Sequence, residues 1–234
     1  MKACIITIPN HGASQAASDR CIESSINYEN DFEVEKFDAI IPDNVEDKLR
    51  QYNIKWNYPW TGEVVDFATG LTKKSYPTSK RAARVACGVS HYSLWYACAH
   101  SATPYLVLEH DAIFTSKLNY STINKSKRLV ISINDPMGAT RRPREYVQGI
   151  KEGISDIYGV VTAPYIDERD IPQGLPGNSA YIIKPEGAWK MLKLVDDYGL
   201  WPNDALMCRQ LIPNIGCTQR FYTKVQGVRS TTTF

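Results

Sequence analysis

The sequence predicts an α/β protein in which helices flank a mainly parallel central sheet. The chain opens with a β-branched apolar segment, a helix-like segment and a second strand, and a β-α-β opening starts a parallel sheet. A nearly all-apolar strand lies near the middle of the chain, as is typical of a strand buried on both faces. The 234 residues, 43% hydrophobic and 22% charged, fit one globular domain over residues 1–234.

The first elements follow from local pattern. "KACIITIP" predicts a first strand that ends at Pro9-Asn10, and "HGASQAASDRCIESSINY" predicts a helix with Ile22 and Ile26 four residues apart. "FEVEKFDAI" alternates apolar and charged residues, which predicts a second strand. Residues 43–80, rich in Trp, Pro and Gly, predict a long loop region with short elements, and a loop of that length is usually functional or mobile.

Helices and strands alternate in the rest of the chain. "SKRAARVACGVSHYSLWYACAHS" predicts a long helix, and "PYLVLEHDAIF" predicts the buried central strand. "RLVISIN" and "GVVTAPYI" predict two further strands. "PGNSAYIIKPEGAWKMLKLV" predicts a loop, a strand, a turn at Pro185 and a helix, whereas residues 214–234 show little pattern and are predicted to be irregular.

Composition limits the possible functions. A net charge of +2 and a pI of about 8.1 are too mild to indicate a nucleic-acid-binding protein by themselves. No signal peptide is visible, and no segment approaches the roughly 18 apolar residues of a membrane helix, so a cytoplasmic protein is expected. The six cysteines include no CxxC pair and are expected to be free thiols.

Acidic residues at the end of the central strand form the first candidate site. In an extended strand Glu109 and Asp111 share one face and His110 points the other way. Ligands of open α/β sheets bind at the carboxyl ends of the strands, where two carboxylates need a cation or hydrogen bonds. Oxygen ligands suit Mg²⁺ or Mn²⁺ chelated by a diphosphate. Solvated acids at a strand end are the alternative.

Four motifs in order resemble family 25 glycosyltransferases, the enzymes of lipooligosaccharide synthesis and of collagen galactosylation. They are "ACGVSHYSLW", "PYLVLEHDAIF", "GNSAYIIKPEGAWKML" and "WPNDALM", which together cover roughly residues 80–210. The chain departs from the family pattern in the swapped order of Cys87 and Gly88, in His110 where the family has an acid, and in lacking an Arg-rich start.

The resemblance implies a GT-A fold, a Rossmann-like sheet with a nucleotide-sugar site at the carboxyl strand ends. The donor would be a UDP-sugar, and Mn²⁺ or Mg²⁺ held by Glu109 and Asp111 would bridge its diphosphate. The remaining residues implied to bind the donor are Thr7, Ile8, Pro9, Asn10, Ser90, His91 and Asn178. His91 has an alternative interpretation as a satisfied core residue, and Asn178 as part of a simple turn.

Two further interpretations concern the acceptor side. Asp204 is the candidate general base, with an N-cap of "DALMCRQL" as the alternative. Arg141 and Arg142 are candidates for binding an anionic substrate, with a solvated charge run as the alternative. Other basic residues cluster at Lys73, Lys74, Lys80, Arg81 and Arg84 and at Lys125, Lys127 and Arg128.

Three functions remain open from the sequence. The favoured one is a hexosyl- or pentosyltransferase acting on a saccharide such as a lipooligosaccharide core, either in the cytoplasm or peripherally at the inner membrane. The second is a phage-type enzyme that glycosylates hydroxymethylated DNA in a host cytoplasm. The third is a non-catalytic nucleic-acid-binding module on the same fold.

Overall fold

The fold is built on one seven-stranded sheet and two small two-stranded sheets. The structure, a computed structural model, describes residues 1–166, 169–229 and 231–232. The strands of these residues are β1 (Lys2–Thr7), β2 (Val34–Asp38), β3 (Glu63–Asp66), β4 (Leu71–Lys74), β5 (Tyr105–Glu109), β6 (Ala112–Phe114), β7 (Val130–Ser132), β8 (Val160–Thr162), β9 (Ala180–Ile183), β10 (Ile215–Thr218) and β11 (Thr223–Val225). The helices are α1 (Gly12–Asn27), α2 (Val45–Tyr52), α3 (Arg81–Ala99), α4 (Tyr120–Ile123), α5 (Pro143–Glu152), α6 (Pro185–Tyr198) and α7 (Asn203–Leu206).

The central sheet has the order β2-β1-β5-β9-β7-β10-β8. Strands β2, β1, β5, β7 and β10 run in one direction, and β9 and β8 run against them. The predicted class, an α/β protein with a mainly parallel central sheet and flanking helices, is confirmed.

Side-chain alternation along the strands divides the core between the two faces of the sheet. On β5, Tyr105 and Val107 join the cluster that contains α3 and α6 residues, while Leu106 and Leu108 join the cluster that contains Cys21 of α1. Glu109 continues the alternation of the first pair, so its side chain points toward α3. This register places a carboxylate against the helix that carries the SHxxxW motif.

The segment "PYLVLEHDAIF" is two strands rather than one. Strand β5 ends at Glu109, His110 and Asp111 form a turn, and β6 pairs with β11 in a separate small sheet. The two-residue period therefore stops at Glu109. The backbone N–H of Gln226 donates to the carbonyl of Asp111 at 2.7 Å, which ties the turn to the C-terminal segment.

The C-terminal segment 214–234 is more regular than its sequence pattern indicates. Strand β10 lies between β7 and β8 in the central sheet, and β11 pairs with β6. These strands are four and three residues long, so long-range pairing rather than local pattern defines them. Residues 230, 233 and 234 lie outside the described residues.

The predicted loop region 43–80 also contains regular structure, namely α2 and the hairpin of β3 and β4. Its aromatic residues pack on one another, with Trp56 and Trp60 stacked at 5.0 Å between ring centroids. Among the helices described by the structure, none is long and apolar enough to cross a membrane.

Candidate active site

A cavity of about 1620 Å³ opens at the carboxyl ends of β1 and β5. Its walls come from several parts of the chain. They are the ends of β1 and β2, residues 74–77, helix α3 with the preceding Lys80, the turn after β5, the loop 138–142, the loop 172–179 with the start of α7, and C-terminal residues 225, 227–229, 231 and 232. This is the edge at which open α/β sheets bind ligands. The cavity therefore lies where the acidic motif was expected to act.

The carboxylates of Glu109, Asp111 and Asp204 all line the cavity. Burial, helped by the negative charge of Glu109, raises the pKa of Asp111 to about 7. Burial alone would raise the pKa of Glu109, but the hydrogen bond and charge of His91, with smaller contributions from His110 and Asn203, lower it overall. Glu109 is thus the more readily ionised of the two, and the pKa of Asp111 lies near neutral pH.

Asp204 lies in a different environment from that of Glu109 and Asp111. Burial raises its pKa, against the opposing effects of the Arg84 guanidinium and a hydrogen bond from Tyr76. Pro202 occupies the N-cap of α7, and Asp204 is the second residue inside this four-residue helix. The alternative interpretation of Asp204 as a helix cap is therefore not what the structure shows.

Several buried polar atoms on the cavity wall have no hydrogen-bond partner within the protein. Among the residues that the structure describes, none pairs with Oδ1 of Asp111, Oδ1 of Asp204 or either amide atom of Asn178. Buried polar atoms in proteins are nearly always satisfied, because each unpaired group costs about 1–3 kcal/mol. Two carboxylate oxygens and an amide that share one cavity are therefore suited to binding a polar ligand.

The donor set fits a hard divalent cation. Glu109 and Asp111 both present carboxylate oxygens to the cavity and interact electrostatically, and one oxygen of Asp111 has no hydrogen-bond partner among the described residues. A second combination, Cys87, His91 and Glu109, brings a sulfur, a nitrogen and an oxygen within 4.8 Å of one another. Burial raises the pKa of the Cys87 thiol, and both ring nitrogens of His91 already form hydrogen bonds. The oxygen pair is therefore the better candidate for Mn²⁺ or Mg²⁺.

His91 is fully buried at the base of the cavity. Its Nε2 lies 3.2 Å from Oε1 of Glu109, and its Nδ1 lies 2.8 Å from the hydroxyl of Tyr181. Trp95 Nε1–H donates to the same hydroxyl at 2.8 Å. His91 is thus buried like a core residue and also contacts the carboxylate of Glu109 on the cavity wall.

Most of the residues expected to form the site lie on one cavity wall or another. These are Ser90, His91, Glu109, Asp111, Arg141, Arg142, Asn178 and Asp204. Ser90 is already engaged, because its hydroxyl accepts from the N–H of Ile40 at 2.9 Å and donates to the carbonyl of Ala86 at 2.8 Å. It joins the end of β2 to α3 and so shapes the wall.

The strand-end residues behave differently from the expectation. Ile6, Ile8 and His11 line the cavity, while Thr7, Pro9 and Asn10 do not. The reason is strand alternation, which turns Thr7 to the opposite face, where its hydroxyl lies 2.7 Å from that of Ser18 on α1.

His110 was expected to face away from the two acids, and it instead lines the same cavity. The chain turns after Glu109, so strand alternation no longer applies to residue 110. Burial lowers the pKa of His110, although the nearby charge of Glu109 opposes the effect.

The sequence analysis missed part of the cavity wall. Arg84 and Cys87 line it, and they precede His91 by seven and four residues on α3. Counting back from His91 at helical spacing would have found both. Tyr76 and Arg229 also line the cavity, and they belong to segments without a clear local pattern.

A comparison with family models decides the identity of the fold and its chemistry. The model of "Glycosyltransferase family 25 (LPS biosynthesis protein)" matches residues 16–135, which is half of the chain. The chain belongs to glycosyltransferase family 25. This confirms the recognition made from the motifs, and it makes the protein a glycosyltransferase that uses a nucleotide-sugar donor. The matched range includes α3, Glu109 and Asp111, while Asn178 and Asp204 lie beyond it.

Solved glycosyltransferase structures show a distant likeness. The galactosyltransferase LgtC, in complex with donor and acceptor sugar analogs, has 10% identity and a TM-score of 0.42, covering 93% of this chain and 73% of its own. Mouse xyloside xylosyltransferase 1 has 9% identity and a TM-score of 0.43, covering 91% and 80%. GlyE of Streptococcus pneumoniae TIGR4 has 8% identity and a TM-score of 0.40, covering 92% and 45%. These low values carry no inference about substrate. No curated protein matches the chain.

One glycine sets the position of Asp204, and its replacement tests the packing. A Cβ built on Gly174 would lie 1.7 Å from the carbonyl oxygen of Asp204, so Gly174→Ala must push α7 away. We expect the free energy of unfolding to fall by about 1–3 kcal/mol, together with a loss of activity. Urea denaturation measures the first. Gly12→Ala is the control, because a Cβ there meets nothing within 4 Å; equal stability of both variants would contradict the account.

Proposed function

We propose that this glycosyltransferase moves a sugar from a UDP-sugar to a hydroxyl of an anionic saccharide, such as a phosphorylated lipooligosaccharide core, with Mn²⁺ or Mg²⁺ bound at Glu109 and Asp111. The main support is the group of unsatisfied polar atoms on one cavity wall, contributed by Asp111, Asn178 and Asp204. Their chemistry matches the three parts of such a reaction, which are a metal-bound diphosphate, a sugar with many hydroxyls and an acceptor proton.

The donor end of the cavity is formed by Glu109, Asp111 and Asn178. The bound cation would neutralise the diphosphate and stabilise the departing nucleotide. Glu109 is ionised and held by His91, so it offers a carboxylate oxygen of fixed orientation. The amide of Asn178 can both donate to and accept from sugar hydroxyls, and it is 8% exposed with neither atom paired in the protein.

The acceptor end is formed around Asp204. Its raised pKa brings the carboxylate closer to the working pH, which suits a general base. Asp204 takes the proton of the acceptor hydroxyl, the acceptor oxygen forms the new bond to the anomeric carbon, and the bond from that carbon to the phosphate oxygen breaks. The leaving group is the nucleoside diphosphate.

The charge of the cavity supports an anionic acceptor. Among its described lining residues the three acids are outnumbered by six cationic side chains, namely Lys74, Lys80, Arg84, Arg141, Arg142 and Arg229. Lys74 and Arg142 also form ion pairs with acids outside the cavity, Glu63 and Glu145. A divalent cation already balances the diphosphate of a UDP-sugar, so the positive charge of the wall favours a further anion on the acceptor.

The test is a transfer assay with three acceptors. Labelled UDP-sugars and Mn²⁺ are incubated with a phosphorylated core saccharide, with its dephosphorylated form and with hydroxymethylated DNA. We expect transfer to the phosphorylated saccharide and a clear loss after dephosphorylation. Equal transfer to both saccharides would overturn the anionic acceptor, and transfer to DNA alone would replace the saccharide by DNA.

Arg141 gives a sharper test of the acceptor site. The side chain is exposed and lines the cavity, so Arg141→Ala is expected to raise KM for the phosphorylated acceptor by about fivefold to tenfold through loss of a charge-assisted contact. KM for the donor should change little. Arg144→Ala is the matched control, because Arg144 is an exposed arginine of the same segment that lines a separate groove on α5. Equal effects of the two variants would show that the change in KM comes from the loss of one positive charge in this segment and not from a contact of Arg141 with the acceptor.

A further inference from the structure

Two motif residues have no contact with the cavity and still connect to its chemistry. Trp95 and Tyr181 are fully buried behind the wall, on α3 and on β9. Tyr181 lies opposite Val107 in the antiparallel pair of β9 and β5, two residues before Glu109. The strand pairing therefore brings the Tyr181 hydroxyl under His91, on the same face of the sheet as the Glu109 carboxylate.

Trp95, Tyr181, His91 and Glu109 form a chain of hydrogen bonds. The chemistry of the two end residues, Glu109 and Trp95, fixes which atom donates in each bond. An ionised Glu109 only accepts, so Nε2 of His91 must carry the hydrogen of the 3.2 Å bond. The indole of Trp95 only donates, so the Tyr181 oxygen accepts at 2.8 Å. The Tyr181 proton is then free to point to Nδ1 of His91, 2.8 Å away.

We propose that Tyr181 is a positioning residue of the active site: its hydroxyl, oriented by Trp95, holds His91 as the Nε2–H tautomer and thereby fixes the carboxylate of Glu109. A doubly protonated ring would turn Nδ1 into a donor and deprive the Tyr181 proton of this acceptor. Burial raises the pKa of Tyr181 well above its ordinary value, so the hydroxyl keeps its proton.

The arrangement matters for the donor because Glu109 has little else to fix it. The carboxylate is 29% exposed toward the cavity, and its second side-chain partner is Asn203 at the start of α7. An imidazole in the Nδ1–H tautomer would present a bare Nε2 to the carboxylate and repel it, and a flipped ring would present a carbon in its place. The effect on donor binding rests on the proposed function of Glu109, whereas the tautomer does not.

The first experiment measures the tautomer directly. Histidine labelled with ¹⁵N in the full protein gives two-bond proton–nitrogen correlations for four histidines, and His91→Gln identifies the His91 signals. We expect a single Nε2–H tautomer in the wild type and a mixture in Tyr181→Phe. A wild-type mixture, or unchanged His91 signals in Tyr181→Phe, would overturn the proposal.

The second experiment measures binding of UDP in the presence of Mn²⁺ by calorimetry. Tyr181→Phe keeps the ring and removes the hydroxyl with both of its hydrogen bonds, to His91 and from Trp95, so the Kd should rise about threefold to tenfold. Tyr105→Phe is the control, a buried tyrosine on the neighbouring strand β5 outside this group. A wild type that fails to bind UDP would contradict the proposed function while leaving the tautomer result intact.

Two other substitutions separate positioning from packing. His91→Gln can still donate an amide N–H to Glu109, whereas His91→Leu cannot, so the first should retain more UDP affinity. Trp95→Phe removes the indole N–H donor together with part of the buried ring, and it should shift the His91 tautomer in the same direction as Tyr181→Phe. Equal UDP affinity of His91→Gln and His91→Leu would assign the residue a packing role and overturn the proposal.

Discussion

Asp111→Asn is expected to lower the rate of sugar transfer by about 100-fold or more, because it removes a carboxylate that is proposed to hold the cation of the donor diphosphate. The amide has nearly the same size, so the cavity shape is retained and the loss reports charge. Initial rates at saturating UDP-sugar and several Mn²⁺ concentrations measure the effect. Asp38→Asn is the matched control, since Asp38 is an exposed acid at the carboxyl end of the parallel strand β2.

Compared with the wild-type protein, Asp111→Asn should become relatively more stable as the pH rises. The pKa of Asp111 is raised from 3.8 to about 7, so the protonated form stabilises the fold at low pH and that contribution is lost as pH rises through 7. Asparagine cannot ionise and avoids this loss. We expect the melting temperature of Asp111→Asn in EDTA, relative to that of the wild type, to be higher at pH 8 than at pH 5. A transfer rate of Asp111→Asn equal to that of the wild type, together with equal melting curves of the two proteins at both pH values, would contradict the role of Asp111.

Asp204→Asn is expected to lower kcat by about 10²–10⁴-fold, the usual contribution of a general base. UDP binding should remain, because the proposed role of Asp204 is to accept the proton of the acceptor hydroxyl. The raised pKa of Asp204 predicts that kcat in the wild type falls on the acid side at a higher pH than an ordinary aspartate would give. This acid limb should disappear in the variant, which pH–rate profiles can measure.

Asp197→Asn provides the control for this substitution, because Asp197 is an exposed acid at the end of α6 that pairs with Lys193. It should leave both kcat and the pH profile unchanged. A near-wild-type kcat in Asp204→Asn would remove Asp204 from the proton transfer and leave the donor half of the proposal standing.

The sequence predicted the elements with strong local pattern. Strand β5 lies in the first part of "PYLVLEHDAIF" and helix α3 lies within "SKRAARVACGVSHYSLWYACAHS", as predicted, and the order of four motifs indicated the family that the family model confirms. Strands β10 and β11 were not predicted, because they are only four and three residues long and show no clear alternation of apolar and polar residues. Their pairing with distant strands defines them.

The site was predictable where residues lie at regular spacing on one element. Glu109 and His91 were placed correctly at the cavity, whereas His110 was not, because a turn interrupts the strand after Glu109. Thr7 does not line the cavity, because strand alternation turns its hydroxyl toward Ser18, whereas Ile6 and Ile8 line it. Arg229 and Tyr76 reach the cavity through long-range folding that no local pattern reveals.

Calorimetric titration of the wild-type protein with UDP, with and without Mn²⁺, tests the central claim most directly. If Glu109 and Asp111 hold a cation for a nucleotide diphosphate, UDP will bind at one site, tightly with Mn²⁺ and weakly in EDTA, and Asp111→Asn will lose the difference. Binding of UDP that is equally strong with and without the metal, or no binding in either condition, would contradict the assignment of this cavity as a metal-dependent donor site.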